Sequence, residues 1–243
     1  MPVPRPGEDT APVAAGGARV HALVPAAGRG ERFGSGLPKQ FVRVRGRTLV
    51  AWTVERLLDA GCASVVVALP ENADERLHGI RRDERVRLVI GAATRQASVA
   101  EALAASPAGA SDFVAVHDGA RAALAASDFS ATVSAAVASG AAILGRRATD
   151  TMKRLAADRV VGTADRELLF RAETPQIFRR ADLERAIEQA KRERFVGTDE
   201  SSLVERLGDV AITAVEARRS NPKVTYPEDL GLVERILAAE DRL

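Results

Sequence analysis

Val20-His21-Ala22-Leu23-Val24 runs directly into Pro25-Ala26-Ala27-Gly28-Arg29-Gly30-Glu31-Arg32-Phe33-Gly34, and Leu37-Pro38-Lys39-Gln40-Phe41 follows closely. The order is an apolar run, a glycine turn and then cations. It reads as the end of a buried strand opening into a phosphate-wrapping loop. Gly28 and Gly30 let the backbone approach phosphates and present its N–H groups to them. Arg32 and Lys39 add positive charge where a polyphosphate would lie. Pro38 fixes its own φ and biases Leu37 toward an extended form, which helps aim Lys39. This is a way to hold a nucleoside triphosphate without a Walker lysine. An ordinary strand-to-helix turn accounts for a bare Gly-x-Gly, but not for the arginine and the Pro38-Lys39-Gln40 step beside it.

Downstream, short apolar runs alternate with amphipathic stretches. Thr48 looks like the N-cap of a helix carrying Val50, Val54, Leu57 and Leu58 on one face and ending near Gly61. Strands are expected at 64–69, 86–90, 112–117 and 141–144, with helices at 96–104 and 127–139, the latter closed by Gly140. Further helices are expected at 181–192, 199–206 and 227–239, and a strand at 210–215. Strand–helix alternation with apolar strands predicts an α/β fold: a Rossmann-like, mostly parallel sheet flanked by helices, with right-handed crossovers. Ligands of such sheets sit outside the carboxyl ends of the strands. Residues 148–171 break the rhythm. They are polar and weakly alternating, and they read as an antiparallel arm projecting from the main domain. One domain over 19–243 is expected, after a disordered extension over 1–18 that lacks the long apolar core of a signal peptide.

Composition narrows the function. Of 243 residues, 46% are hydrophobic, enough for a sizeable core, and only 4% are aromatic, so that core is built from Ala, Val, Leu and Ile. With 35 basic and 33 acidic residues the charge is nearly balanced, which does not announce nucleic acid as a partner. No apolar run nears the roughly 20 residues that span a bilayer. A single cysteine, Cys62, excludes an internal disulfide and suits the cytoplasm.

A second constellation is Val116-His117-Asp118-Gly119-Ala120-Arg121. Asp118 lies at a strand end, where a carboxylate can hold Mg²⁺ against phosphate oxygens, with Mn²⁺ as an alternative. Gly119 and Ala120 leave room there, and Arg121 supplies a planar, permanently charged clamp. The plain alternative is a helix-capping aspartate beside a surface arginine. His117 alternates with the apolar strand residues and reads as a packed, hydrogen-bonded histidine rather than a general base. The three histidines are widely spaced, so no histidine metal cluster is apparent. A third set comprises Thr174-Pro175-Gln176, Thr198-Asp199-Glu200-Ser201-Ser202 and Asn221-Pro222-Lys223-Val224-Thr225. Asp199 reads first as a helix N-cap. Thr198 could point at a ligand, and Lys223 is a solvated charge unless the chain folds it back to the site.

Taken in order, these segments resemble those of the 2-C-methyl-D-erythritol 4-phosphate cytidylyltransferases, enzymes of the non-mevalonate isoprenoid pathway. The likeness runs from about Ala22 to Leu237. It includes Arg95 with Ser98, Asp150-Thr151-Met152-Lys153 and Asp165-Arg166 as well as the motifs above. The resemblance implies the transfer of CMP from CTP to a polyol phosphate, methylerythritol 4-phosphate, with release of pyrophosphate. It implies that Arg32 and Lys39 hold the triphosphate and the pentavalent centre, that Lys223 steadies the α-phosphate and that Asp118 binds the metal. Arg121, Thr151, Arg166, Thr174 and Thr198 would meet the acceptor. Ala26, Ala27, Gly28, Gly30, Ala92, Ala93, Ser98 and Gly119 would line the nucleotide, largely through backbone. The arm would cross to a partner subunit, so that Arg166 completes the neighbour's acceptor site in a homodimer.

Two positions depart from the family pattern. The base-side loop reads Gly91-Ala92-Ala93-Thr94-Arg95, without the acidic residue often found before the arginine. Ala122 follows the aspartate–arginine motif where proline is frequent. Three other readings stand beside this one. Ribitol-5-phosphate cytidylyltransferases share the reaction type but usually carry two glycines where this chain has Ala26-Ala27-Gly28. A sugar-1-phosphate nucleotidyltransferase explains the first two motifs and leaves the later ones unexplained. A catalytically silent nucleotide-binding module needs fewer cations than Arg32, Lys39 and Lys223 provide.

Overall fold

The computed structural model describes residues 19–28, Phe33 and 37–240. The expected extension over 1–18, together with Gly30 and Arg32, lies outside the described residues.

The opening run forms β1 (Val20–Pro25), at the middle of a seven-stranded sheet. Its parallel neighbours are β4 (Ser64–Leu69) on one side and β6 (Phe113–Val116) on the other. Beyond β4 lies β5 (Val86–Ile90), also parallel. Beyond β6 come β10 (Phe170–Arg179), β7 (Gly140–Arg147) and β11 (Ala211–Glu216). β10 pairs antiparallel with both β6 and β7, while β7 and β11 are parallel, so β10 runs against the other six. The chain steps from β1 outward to β4 and β5, then returns to β6 on the opposite side. That reversal opens a crevice at the carboxyl ends of β1 and β6, where doubly wound sheets bind ligands.

Alternation along the strands divides the core into two layers. Val20, Ala22 and Val24 of β1 and Val65, Val67 and Leu69 of β4 join one cluster with Val50, Val54 and Leu57 of α1 (Leu49–Asp59) and Phe129 and Val133 of α4 (Ala126–Ser139). Leu23, Val66 and Ala68 face the other side. They join Val99 and Ala102 of α3 (Arg95–Ala105), Leu183 and Ala186 of α5 (Arg180–Glu193), and Leu203 of α6 (Glu200–Glu205). Full burial of each Val, Leu or Phe contributes about 1.5–3 kcal/mol. A third cluster sets Val44, Leu49, Trp52, Ala120, Ala122 and Val224 against Val233 and Leu237 of α7 (Leu230–Glu240). Ala120 of this cluster also lines the crevice.

Local signals hold where the sequence marks them. Thr48 caps α1 by accepting from Ala51 N at 3.1 Å, and Gly61 follows it with φ +87°. Gly140 closes α4 at φ +98°, a conformation that costs glycine nothing. The expected arm contains a separate antiparallel hairpin of β8 (Lys153–Ala156) and β9 (Arg159–Thr163). The largest departure is β10, a ten-residue strand where the sequence suggests only the end of the arm and a Thr-Pro-Gln motif. It carries Arg171, Glu173 and Thr174 and then Pro175 at its middle, which normally argues against an internal strand. The strand accommodates it at a register shift between Ala172 and Gln176. Further short elements, the β2–β3 hairpin (Arg43–Val44, Arg47–Thr48) and α2 (Glu75–His78), carry no periodic signal of their own.

Candidate active site

Three loops meet at the crevice. The first follows β1: Ala26 N donates to Ala68 O at 2.8 Å, so the loop leaves the sheet alongside β4. Gln40 is buried beneath it and donates through Nε2 to Ala26 O and Gly28 O, each at 2.8 Å. Both carbonyls are thereby turned toward Gln40. The second loop follows β5. Ser98 Oγ accepts from Ala92 N at 3.0 Å and donates to Thr94 O at 2.9 Å, which folds residues 92–94 over the start of α3. Gly91 joins the two loops. A Cβ built there would lie 2.4 Å from Ala27 Cβ, so any larger residue forces the loops apart.

The third loop follows β6 and carries Asp118. Thr174 Oγ1 accepts from Asp118 N at 3.1 Å and lies 3.1 Å from His117 Nδ1. His117 Nε2 is 3.1 Å from Arg121 O, a carbonyl that can only accept. The proton therefore sits on Nε2, Nδ1 accepts the threonine hydroxyl, and both ring nitrogens are engaged. Burial pushes the His117 pKa down to about 4, outweighing its hydrogen bond to Arg121 O and the nearby Asp118 charge. His117 is a neutral strut.

Asp118 itself is nearly fully buried among cations. Its Oδ1 accepts from Arg95 Nε at 3.1 Å, and its Oδ2 lies 2.9 Å from Lys223 Nζ and 3.6 Å from Arg121 Nε. Burial alone raises a carboxyl pKa, but Arg95, Lys223 and Arg121 outweigh it and hold Asp118 well below the usual carboxylate range. Lys223 is brought back by its neighbours. Val224 is fully buried and its N donates to Ala120 O at 3.0 Å. Asn221 accepts from Ala123 N through Oδ1 and from Arg121 Nη1 through its carbonyl, at 3.1 and 2.7 Å. Lys39 Nζ donates to Val224 O at 2.8 Å.

One pocket is therefore lined by Ala26, Ala27 and Gly28 from the first loop, Ala92, Ala93 and Ser98 from the second, and Asp118 and Gly119 from the third. Lys39, Lys223 and Arg95 complete it. Arg121 is buried behind Asp118 and lies 3.7 Å from Glu173 Oε2. Thr174 is buried, with its hydroxyl committed to His117 and Asp118. Thr198 is exposed just before α6. Thr151 is exposed, and Arg166 donates to Thr149 O at 3.1 Å and pairs with Glu167, contacts that stay within the arm.

The pocket thus gathers one strand-end carboxylate, Asp118, and two lysines, Lys39 and Lys223, beside Gly28. The family model for IspD, 2-C-methyl-D-erythritol 4-phosphate cytidylyltransferase, matches residues 20–239. The chain belongs to this family. It is 42% identical over 214 residues to the protein of that name from Aeromonas hydrophila, covering 87% of this chain and 86% of that one. It is 39% identical over 228 residues to the one from Acidobacterium capsulatum, covering 88% and 95%. The solved structure of the family member from Thermus thermophilus superposes with a TM-score of 0.76 at 34% identity, over 90% of this chain and 99% of that one. The Francisella tularensis enzyme gives 0.78 at 28% identity, over 90% and 100%. Membership makes the chain a nucleotidyltransferase, an enzyme class that generally uses a divalent metal. The ribitol, sugar-1-phosphate and silent-module readings receive no support from these relatives.

Sequence reasoning singled out neither Gln40, Arg95, Glu173 nor Glu200 as a site residue. Arg95 and Glu200 are each the first residue of a helix, where a polar side chain passes for ordinary helix-start chemistry. The available signal was their type: an arginine and a glutamate at the starts of two helices, either side of a lone strand-end aspartate. Among the described residues no group of three or more His, Cys, Asp or Glu is arranged to hold a metal. No described helix is long and apolar enough to cross a membrane.

Proposed function

We propose that the pocket between the β1, β5 and β6 loops transfers the CMP group of CTP to 2-C-methyl-D-erythritol 4-phosphate, giving 4-diphosphocytidyl-2-C-methyl-D-erythritol and pyrophosphate. The observation that carries this reading is the convergence of Asp118, Lys39 and Lys223 beside Gly28. The acceptor phosphate has its second pKa near 6 and is a dianion at neutral pH. It needs no general base, which suits a neutral His117 with both nitrogens engaged. An acceptor phosphate oxygen attacks the α-phosphorus of CTP, a P–O bond forms, and the bond to the bridging oxygen of the β-phosphate breaks. Pyrophosphate leaves with that electron pair.

The chain's task is to bring two anions together and stabilise charge on the α-phosphoryl group. In this reading Lys223 and Lys39 hold the α-phosphate and the triphosphate, joined by Arg32 from outside the described residues. Gly28, Gly30 and Gly119 give the phosphates close access to backbone, while Ala26, Ala27, Ala92, Ala93 and Ser98 frame cytidine. Arg121, Thr174 and Thr198 serve the acceptor end, Thr174 acting through Asp118 and His117. The donor set fits a hard divalent ion. Mg²⁺ characteristically takes one or two carboxylates and completes its shell with phosphate oxygens and water, and Asp118 supplies one ionised carboxylate at the pocket wall. Bound there, Mg²⁺ (or Mn²⁺) neutralises phosphate charge. Lys223, with more than a third of its side chain exposed, can leave Asp118 for the nucleotide.

Residues 19–243 act as one nucleotidyltransferase domain in this account, with 148–171 as an arm that meets a second copy. The hairpin's exposed Leu155, Val160 and Val161 support that role, and Thr151 and Arg166 then serve the neighbour's acceptor site. A cytoplasmic setting suits the lone buried thiol.

Pyrophosphate release across CTP, UTP and ATP, each with methylerythritol 4-phosphate, ribitol 5-phosphate or a sugar 1-phosphate, with and without Mg²⁺, tests the reading. Turnover confined to CTP, methylerythritol phosphate and metal is expected. Preference for another pair reassigns the substrates.

A further inference from the structure

Glu200 opens α6 and is only 1% exposed. A carboxylate so buried is costly unless paired and hydrogen-bonded. Its partner is Arg95: Nη1 donates to Glu200 Oε1 and Oε2 at 2.8 and 2.7 Å. The same guanidinium donates through Nε to Asp118 Oδ1 at 3.1 Å. One arginine is thus divided between two carboxylates, one at the start of α6 and one at the end of β6. The two acids outweigh Arg95's own desolvation and raise its pKa above the ordinary arginine value.

The position of Glu200 is fixed by side chains that bond the first turn of α6. Asp199 caps α6, accepting from Ser202 N at 3.0 Å. Gln176 of β10 donates through Nε2 to Asp199 Oδ2 at 2.7 Å and accepts from Ser201 N through Oε1 at 3.0 Å. Gln176 is in register with Val116 of β6, the strand that leads to Asp118. The carboxylate that occupies Arg95 is therefore referenced to the same strands as the carboxylate that needs relief from it.

We infer that Glu200 is a positioning residue for the metal carboxylate: by holding Arg95 through Nη1 it limits that arginine to a single contact with Asp118, leaving Asp118 able to take a divalent cation. The inference rests on the reading of Asp118 as the cation's protein ligand. Without Glu200, Asp118 is the remaining carboxylate bonded to Arg95. Arginine favours paired, parallel hydrogen bonds to such a group. That tighter pair competes with the cation for the same oxygens.

Calorimetry of CTP binding to the full-length protein, once in EDTA and once in Mn²⁺, provides the test. The ratio of the two dissociation constants measures how much the metal tightens CTP. In E200Q that tightening is expected to fall at least tenfold, with the acceptor KM within twofold of wild type. In the double variant E200Q/R95Q, which leaves no unpaired buried charge, it is expected to return to the wild-type value or exceed it. A merely structural Glu200 predicts no such rescue. A folded E200Q with the wild-type ratio overturns the inference. If E200Q does not fold, a double variant whose tightening stays below wild type overturns it equally. D118N separates the two levels of the account. Full metal tightening in D118N overturns the metal reading and this inference together, whereas its loss in D118N alongside an unchanged E200Q removes this inference alone.

Discussion

The ammonium of Lys223 lies 2.9 Å from Oδ2 of Asp118, although the two come from distant parts of the chain. Burial of Val224 and the bonds of Asn221 to Ala123 N and Arg121 hold the lysine there. Lys39 meets the same segment through Val224 O. The two lysines therefore line one pocket and are tied to the same short stretch of backbone.

Removing either charge should strike the transition state more than the fold. K39A and K223A are each expected to lower kcat by about 10²–10³-fold, the usual effect of deleting one group aimed at developing charge. Far-UV circular dichroism should stay unchanged. Pyrophosphate release provides the rate, and near-normal turnover in K39A would remove that lysine from the mechanism.

Gln40 acts one step back. Its Nε2 binds the carbonyls of Ala26 and Gly28, and Q40A leaves both without this partner. An unmet buried polar group costs about 1–3 kcal/mol, so the KM for CTP should rise by about tenfold or more. Steady-state kinetics against CTP and against the acceptor distinguish this from a general loss, because the acceptor KM should hardly move.

His117 should make stability depend on pH. Its pKa falls from 6.5 in the unfolded chain to about 4 in the folded one. As pH drops below 6.5 the unfolded state takes up the proton first, so this contribution is complete above 6.5 and is lost progressively down to about pH 4. The loss amounts to about 3 kcal/mol. H117Q can keep both hydrogen bonds without titrating and should flatten that part of the profile. His21 is also lowered by burial and acts in the same direction, but it is common to both proteins and cancels in the difference. Urea unfolding at a series of pH values gives the comparison, and an unchanged slope in H117Q would contradict a buried neutral histidine.

Cys62 is fully buried and burial pushes its thiol pKa up, so little reactive thiolate exists in the native state. A thiol reagent such as DTNB should find no reactive group in the folded protein and one per chain in denaturant. Rapid native labelling would show that the turn after α1 opens readily.

Much of the fold was legible because its signals are local. The β1, β4 and β5 runs are apolar and end at Pro or Gly, and Thr48 and Gly140 mark helix ends by conformations their residue types favour. That Ala26 and Asp118 come to one pocket was equally readable, since each directly follows a strand that ends at the crevice. What stayed hidden depends on distant partners. β10 carries Arg171, Glu173 and Thr174 and an internal proline, and its place between β6 and β7 comes from pairing rather than from its own pattern. For Lys223 the residues alone left a solvated charge and a site lysine both open, because nothing near it reveals that Val224 N bonds Ala120 O. Arg95 and Glu200 become a pair only when the first residues of α3 and α6 are brought together.

The central claim is the transfer of the α-phosphoryl group of CTP at the pocket holding Asp118, Lys39 and Lys223. The most direct test supplies α-³²P-labelled CTP with methylerythritol 4-phosphate and divalent metal, and follows the label chromatographically in wild type and D118N. The account predicts that label passes from CTP into 4-diphosphocytidyl-2-C-methyl-D-erythritol while pyrophosphate leaves unlabelled, and that D118N suppresses the transfer. Label that stays in CTP, or emerges only as CMP or CDP, or transfer undiminished in D118N, would contradict it.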